Sequence, residues 1–348
     1  MTLLVLSQDC IRCRKQSKYL VIEKGEQGKG FTGEIQRIKQ PIINLSAVII
    51  EPNVQITASA IMLLLENTIP IFWLERNEIV GMSHSFAGLG TVLTRREQFG
   101  AFIDLRCGYL AKQFVVGGAS NKANLLLSYS KNRDGEAKTR LQNASQDIRY
   151  IVENLTELEN IEHLDKYRLY LMAQEASCAK IYFEQLIELI PEEYQFRKRT
   201  RRPPEDPINS ALSYAYAILG TKCMLAIVGS GMDAYGGYLH VDRSGRASLA
   251  LDLIEEFRQP IVDRTVISMA IRKQWDPEKD FEYEGSSCLL NGNGKAKLLE
   301  KLEERFNLRV KDSAGTLQMR GMFLRQARRI IHYLLGKSKG YQPYIMGW

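Results

Sequence analysis

The sequence predicts an α+β fold, with a small N-terminal β domain over residues 1–88 followed by a larger all-α domain over 89–348, and three observations predict it. Short β-rich runs between Gly, Lys, Asn and Pro breaks fill the first eighty residues. Beyond residue 90 the apolar positions recur at helical period in long segments that carry Arg, Lys, Glu and Gln on their outer faces. Between the two lies Ser83-His84-Ser85-Phe86-Ala87-Gly88-Leu89-Gly90, a loop-like stretch with two glycines that marks the domain boundary.

In chain order, residues 3–6, 19–22, 33–38 and 47–50 read as strands. Residues 57–66 read as a helix too short to stand alone, expected to cover one sheet face, and 69–74 and 78–80 return to strand around the turn Arg76-Asn77. Helical runs then cover 95–116, 121–132, 138–158, 164–190, 208–228, 248–269 and 317–335. Asn291-Gly292-Asn293-Gly294 is the clearest tight-turn signal and predicts a small hairpin. No internal repeat and no low-complexity tract interrupts the chain.

The composition is that of a globular protein: of 348 residues, 47 are Lys or Arg and 40 Asp or Glu, a net charge of +7, with 45% hydrophobic and 25% charged positions. That excludes disordered and fibrous classes and leaves room for a sizeable core without staples. The uncharged apolar stretch 58–65 falls far short of the roughly 20 residues a membrane span needs, and Met1-Thr2-Leu3 lacks the basic start of a secretory signal, so a cytoplasmic protein without a membrane partner is expected. Of six cysteines, at 10, 13, 107, 178, 223 and 288, only Cys10 and Cys13 have metal-like spacing, and without a second pair reduced thiols are the preferred reading over zinc. A pI near 9.0 invites a polyanionic partner, for which the distribution of charge matters more than its total.

Three segments carry groups capable of chemistry. Glu175 projects from the apolar stripe formed by Ala179, Tyr182, Phe183 and Leu186, and a carboxylate so placed needs a cation, a donor set or a raised pKa. The plainer alternative is a rim carboxylate paired to an Arg or Lys of a neighbouring helix. His240 closes the glycine-rich run 229–240, which lacks the Gly-Lys-Ser/Thr ending of a phosphate-cradling loop and therefore predicts no nucleotide-cofactor site. His84, His163 and His332 have no carboxylate motif near them. Asp252 and Glu255 stand at i, i+3 on neighbouring positions of one helical face in an otherwise apolar run, where two carboxylates repel unless a cation intervenes. One imidazole plus carboxylate oxygens suits Mg²⁺ or Mn²⁺ and hence phosphodiester chemistry, in which the ion activates a water or a 3′-hydroxyl.

The third segment is Arg197-Lys198-Arg199-Thr200-Arg201-Arg202, tethered to an ordered helix start by Asp206 as N-cap and Pro207 as its first residue. It predicts phosphate-backbone contact rather than base reading, against the ordinary reading of a charge run as a solvated loop. Arg320, Arg325, Arg328, Arg329, Lys337 and Lys339 form a second basic surface, which also reads as a solvated amphipathic face.

Together these segments resemble the CRISPR-associated protein 1 family, the metal-dependent DNA integrases of spacer acquisition. Glu175 with Ala179, Tyr182 and Phe183 is similar to the family's first acidic helix motif, and the stretch from Arg201-Arg202-Pro203-Pro204-Glu205-Asp206-Pro207-Ile208-Asn209 to Tyr216-Ala217-Ile218-Leu219 to its Arg-Pro-Pro-x-Asp-Pro-x-Asn block. Gly237-Tyr238-Leu239-His240 resembles its Gly-x-Leu-His motif, and Ser248-Leu249-Ala250-Leu251-Asp252-Leu253-Ile254-Glu255-Glu256-Phe257-Arg258 its second acidic helix. Weaker echoes run from 69–74, through Arg96-Glu97-Gln98-Phe99, to Tyr341-Gln342-Pro343-Tyr344. The chain departs from the pattern at Ala234, where the family often has Pro, and at Glu255, where some members carry Asp.

The resemblance implies a Mg²⁺- or Mn²⁺-dependent DNA endonuclease and integrase that joins the 3′-hydroxyl of a short duplex to a phosphodiester in CRISPR repeat DNA. It implies Glu175, His240 and Glu255 as metal ligands, with Asp252 completing the catalytic set, and Arg197, Lys198, Arg199, Arg201, Arg202, Arg325, Arg328 and Arg329 as the DNA-binding residues. It further implies a homodimer, formed with the help of the N-terminal β domain, that binds double-stranded DNA and assembles with CRISPR-associated protein 2. Two alternatives stand beside it: a non-catalytic nucleic-acid scaffold whose carboxylates and His240 are structural partners of arginines, and a metal-dependent nuclease for branched or single-stranded DNA.

Overall fold

The computed structural model describes residues 2–7, 10–25, 35–75, 78–85, 92–158, 164–313 and 315–347. The chain divides into two compact units, Met1–Leu89 and Gly90–Trp348. The Arg76-Asn77 turn, the first two residues of the expected strand 33–38, the Phe86–Gly90 part of the boundary loop and His163 lie outside the described residues.

In the first unit, β1 (Thr2–Leu6), β5 (Leu45–Ile50), β7 (Ile71–Glu75) and β8 (Glu78–Ser83) form one sheet in the order β1-β5-β7-β8. The first three are parallel, and β8 closes the edge antiparallel to β7. A second sheet, β4-β3-β2-β6, is built from β4 (Gln36–Pro41), β3 (Tyr19–Lys24), β2 (Cys10–Gln16) and the short β6 (Gln55–Ile56). Leu6, Val48, Ile50 and Ile71 from one sheet and Cys13, Leu20 and Ile22 from the other share a single hydrophobic core with Ala60, Leu63 and Leu64 of α1 (Ala58–Glu66). Thr57 caps α1 by accepting a hydrogen bond from the Ala60 amide.

Strand β2 is absent from the sequence-based expectation because its charged residues break the apolar run. It also disposes of the Cys10/Cys13 spacing. A register shift between Cys10 and Arg12 turns both cysteines into the core, although i and i+3 of a regular strand face opposite ways. Burial, with the neighbouring Cys10, pushes the Cys13 thiol up to about 12, so the pair packs as small apolar groups.

The second unit is helical: α2 (Val92–Gly100), α3 (Leu105–Ser130), α4 (Gly135–Glu157), α5 (Leu164–Leu189), α6 (Pro207–Gly229), α7 (Ser248–Ile254), α8 (Arg264–Ile271), α9 (Gly292–Asn307) and α10 (Met319–Leu334), with hairpins β9 (Phe281–Glu284)/β10 (Ser287–Leu290) and β11 (Arg309–Asp312)/β12 (Gly315–Gln318). Helices α3, α4 and α5 pack mutually, while α6 runs through the centre against α7, α8, α9 and α10. Among the described residues, α6 and not the 58–65 stretch is by length and composition the helix apolar enough to span a membrane, but 72% of its apolar window is buried inside the unit, as befits a core helix.

Three expectations are corrected. The Gly117-Gly118 break inside 95–132 is no break. Helix α3 continues through it, and the glycines serve packing: a Cβ at Gly117 would stand 2.7 Å from the Pro343 Cβ and one at Gly118 3.2 Å from the Glu255 carbonyl oxygen. Glycine there buys close approach rather than a turn. The single helix expected over 248–269 is split into α7, a turn, a π-type segment Arg258–Asp263 and α8, because Pro260 lacks an amide hydrogen and its ring displaces the preceding turn. Asn291-Gly292-Asn293-Gly294 is not the hairpin turn. Asn291 caps α9 by accepting from the Gly294 amide, and the β9/β10 turn falls at Gly285-Ser286.

Candidate active site

His240 lies in the long connection from α6 to α7, which neighbouring elements hold in place. Gln98 of α2 donates to the carbonyls of Asp233 (2.7 Å) and Gly236 (3.1 Å) and accepts from the Asp233 amide (2.8 Å). Arg168 of α5 donates through Nε to the Tyr238 carbonyl at 2.7 Å, and the Tyr238 ring stacks on Phe102. Gly237 is pressed against the start of α7, where a Cβ would come within 2.6 Å of Ser248.

These restraints bring three successive amides onto one carboxylate. Asp252 Oδ2 accepts from Tyr238 N (2.5 Å) and Leu239 N (3.0 Å), and Oδ1 accepts from His240 N (2.9 Å) and His240 Nδ1 (2.8 Å). A carboxylate only accepts, so Nδ1 carries a proton, and in the neutral ring Nε2 is the nitrogen with the lone pair; the side chain is 17% exposed. The Asp252 side chain is wholly enclosed and all its bonds go to the loop. Placed in the catalytic set by the resemblance, Asp252 accepts these hydrogen bonds from the histidine loop and from Nδ1, which fixes the direction of the His240 ring.

Glu255 follows the end of α7 and is buried, with Oε1 2.9 Å from Arg258 Nη2. Burial alone would push its carboxyl up, but Arg258, Lys122, His240 and Arg201, in that order, pull it below the ordinary range. Glu175 of α5 is one-third exposed (32%), with Oε1 3.3 Å from the Nζ of Lys122, whose side chain is only 3% exposed. Arg258 in turn is held charged by Glu255, Tyr216 and Glu175 against the opposing effect of burial. Glu175, His240 and Glu255, from three distant segments, thus share one electrostatic neighbourhood around Lys122 and Arg258. Among the described residues, no three His, Cys, Asp or Glu side chains are arranged as a preformed metal site, and the two glutamates are turned to internal cations.

Sequence reasoning misses Lys122, Arg258 and Asp263. Asp263 is enclosed and accepts from Tyr182 Oη (2.9 Å), Tyr216 Oη and Gln259 Nε2 (3.2 Å). Burial raises its pKa despite those bonds and the charges of Arg258 and Lys122. The Tyr216 ring lies near two guanidinium groups, Arg258 at 4.9 Å and Arg199 at 5.6 Å. The available signal was a lysine inside the apolar helix α3 and an arginine closing the second acidic motif. Glu256, next to Glu255, is also buried and ties down the C-terminal segment, accepting from Tyr344 N (2.7 Å), Gln326 Nε2 (2.7 Å) and Tyr341 Oη.

The basic residues divide. Arg197, Lys198, Arg201, Arg202 and Arg328 are exposed. Arg199, expected to face phosphates, is instead turned inward, donating to Asn209 Oδ1 (2.9 Å), Ser213 Oγ (3.1 Å) and the Thr200 carbonyl, and burial pushes it down to about 10. Asn209 Nδ2 also donates to the Lys198 carbonyl (2.7 Å), pinning the basic loop to the start of α6, where Asp206 caps the Asn209 amide (2.9 Å). Arg325 and Arg329 are likewise engaged, both with Asp312 of β11, at 2.6 and 2.9 Å. Arg201 also helps to hold the Glu255 carboxyl below the ordinary range.

Comparison with known proteins identifies the family and the fold. A relative from Archaeoglobus fulgidus named CRISPR-associated endonuclease Cas1 1 is 35% identical over 342 residues, covering 95% of this chain and 97% of the relative. Among solved structures, a casposase bound to an integration product superposes with a TM-score of 0.83 at 25% identity, covering 98% of this chain and 93% of that one. A Cas6-RT-Cas1–Cas2 complex contains a similar fold, with a TM-score of 0.80 at 23% identity over 99% of this chain and 36% of that one. The family described as CRISPR associated protein Cas1 matches residues 3–304, and with that match and the Archaeoglobus relative the chain belongs to the Cas1 family.

Proposed function

We propose that the protein is a metal-dependent DNA endonuclease and integrase that inserts short duplexes into a CRISPR repeat array. The observation that carries the reading is His240, anchored through Nδ1 on Asp252, in the same electrostatic neighbourhood as Glu175 and Glu255, with the exposed Arg201 acting on Glu255. Support among solved structures comes from a casposase bound to an integration product, and support for assembly from a complex that names Cas2. The partners proposed are therefore double-stranded DNA, a second copy of the chain and CRISPR-associated protein 2. Six cysteines without disulfides agree with a cytoplasmic setting.

The donor chemistry suits Mg²⁺ or Mn²⁺. An imidazole whose far nitrogen is anchored on a carboxylate is the usual form of a metal-binding histidine, and two carboxylates supply hard oxygen. Glu175, His240 and Glu255 would hold the ion, which when bound supplies Lewis-acid stabilisation of the phosphate and activation of the attacking hydroxyl. Asp252 keeps the Nδ1 proton in place and so keeps Nε2 available. Arg201 and Arg202, with Arg197, Lys198 and Arg328, neutralise backbone phosphates and position the duplex. Arg258 keeps Glu255 ionised within its buried position.

The test uses purified protein with its small partner, a short duplex bearing a 3′-hydroxyl, and a repeat-containing plasmid. Joined products are expected with Mn²⁺ or Mg²⁺, and neither in EDTA nor with His240→Ala, whose duplex affinity stays near that of the wild type. A His240→Ala protein that joins at the wild-type rate would refute the site assignment. One observation favours the scaffold alternative, the pairing of Glu175 with Lys122 and of Glu255 with Arg258. Tight, salt-sensitive binding without product under every metal condition would select it.

A further inference from the structure

Lys122 is a lysine in the interior of the second unit, on the face of α3 that also carries Gly118, one turn earlier. Gly118 lets α3 approach the Glu255 backbone, and Asn121 fixes the register of the helix by donating to the carbonyls of Glu256 (2.9 Å) and Tyr344 (2.8 Å). The ammonium so placed contacts Glu175 and lies within electrostatic reach of Glu255, Asp263 and Cys178. It therefore stands among carboxylates from α5, the end of α7 and the π-type segment. Arg258 holds Glu255 at 2.9 Å, a full charge-assisted bond, whereas Lys122 holds Glu175 at 3.3 Å, long for such a bond. Glu175 is also the more exposed of the two carboxylates. The restraint on Glu175 is the exchangeable one.

Resting on the metal reading above, we propose that Lys122 is the resident cation of the acidic site. It holds Glu175 near Glu255 while no divalent ion is bound, and by opposing the charge of that ion it sets how tightly the ion is held. A lysine serving only as a packing and ion-pair residue would stabilise the protein with and without metal alike. A resident cation stabilises the metal-free protein and weakens metal binding, so its removal moves the two in opposite directions. A unit charge beside a dication at contact-scale separation changes affinity by about tenfold or more even at a high effective dielectric.

The experiment is thermal unfolding of full-length wild type, Lys122→Met and Lys122→Arg in EDTA and in saturating Mn²⁺, with calorimetric titration of Mn²⁺. Lys122→Met is expected to melt below wild type in EDTA, to bind Mn²⁺ about tenfold or more tightly, and to gain more in Tm from Mn²⁺ than wild type does. Lys122→Arg is expected to follow wild type. If the Met variant does not fold, Lys122→Gln keeps a donor toward Glu175 without the charge and carries the same expectation. Unchanged or weaker Mn²⁺ binding in the neutral variant, beside a wild type that binds Mn²⁺, overturns this inference and leaves the metal reading standing. A wild type that shows no Mn²⁺ binding removes the metal reading and this inference with it.

Discussion

Replacing Asp252 by Asn changes one atom and exposes how much the histidine loop depends on a charge. Each oxygen of Asp252 serves two donors, Oδ2 the amides of Tyr238 and Leu239 and Oδ1 the amide and Nδ1 of His240. An amide keeps a single acceptor. With its NH₂ toward Tyr238 and Leu239, two buried amide donors lose their acceptor, at about 1–3 kcal/mol each. With its NH₂ toward His240, only the His240 amide is orphaned, because the imidazole can shift its proton to Nε2 and accept at Nδ1. The second arrangement is cheaper, so the variant is expected to lose about 2–4 kcal/mol once the surviving bonds weaken from charged to neutral. It is also expected to present a protonated Nε2, which cannot serve as a ligand. Urea denaturation followed by circular dichroism reads the stability, nitrogen-correlated NMR of the imidazole reads the tautomer, and strand joining is expected to fall by roughly 10–100-fold. A variant within about 0.5 kcal/mol of wild type that keeps the proton on Nδ1 would refute the account of Asp252 as the group that orients His240.

Gly237→Ala places a Cβ 2.6 Å from Ser248 and 2.9 Å from the Leu249 amide nitrogen, where backbone must move, and is expected to cost about 2–3 kcal/mol by denaturant melt and to lower joining; unchanged stability would show that the loop is not pressed on α7. Burial pushes Lys222, on α6, down to about 8 from 10.5, so the unfolded chain binds the proton more tightly and the lysine costs about 3 kcal/mol below pH 8, a penalty that fades as pH rises toward 10.5. Lys222→Met is therefore expected to stabilise the protein by about 2 kcal/mol at pH 7, after loss of the contact with the Phe306 ring at 5.2 Å, with a gain that shrinks across pH 8–10.5; a gain independent of pH would refute it. Arg201→Ala and Arg202→Ala are each expected to reduce the slope of log K against log salt for duplex binding by about 1, whereas Arg325→Ala, which leaves Asp312 with one partner fewer, is expected to lower the melting temperature and leave that slope largely intact.

Much of the second unit was readable along the chain, because long helices repeat their burial pattern many times. The interruptions were not. Gly117-Gly118 reads as a break when only the local chain is considered, yet it is the surface on which Glu255 and Pro343 pack. Pro260 is the local signal for the split in 248–269, a single proline in a run whose periodicity otherwise fits one helix. Strand β2 was lost for the opposite reason: its pairing with β3 and β6 supplies what its charged, weakly patterned sequence lacks.

The sequence by itself determined the order of domains, the helix start at Asp206-Pro207 and, through the resemblance of its motifs, the candidacy of Glu175, His240 and Glu255, since these are features of residue type and order along the chain. Only the tertiary structure decided what each charge faces. It enclosed Asp252 beneath three amides of the histidine loop, turned Arg199 inward, gave Arg325 and Arg329 to Asp312, and brought Lys122 from a helix more than fifty residues away to Glu175. The physical reason is that a charged side chain is defined by its partners and its exposure to water, and both are set by segments that meet only when the chain has folded.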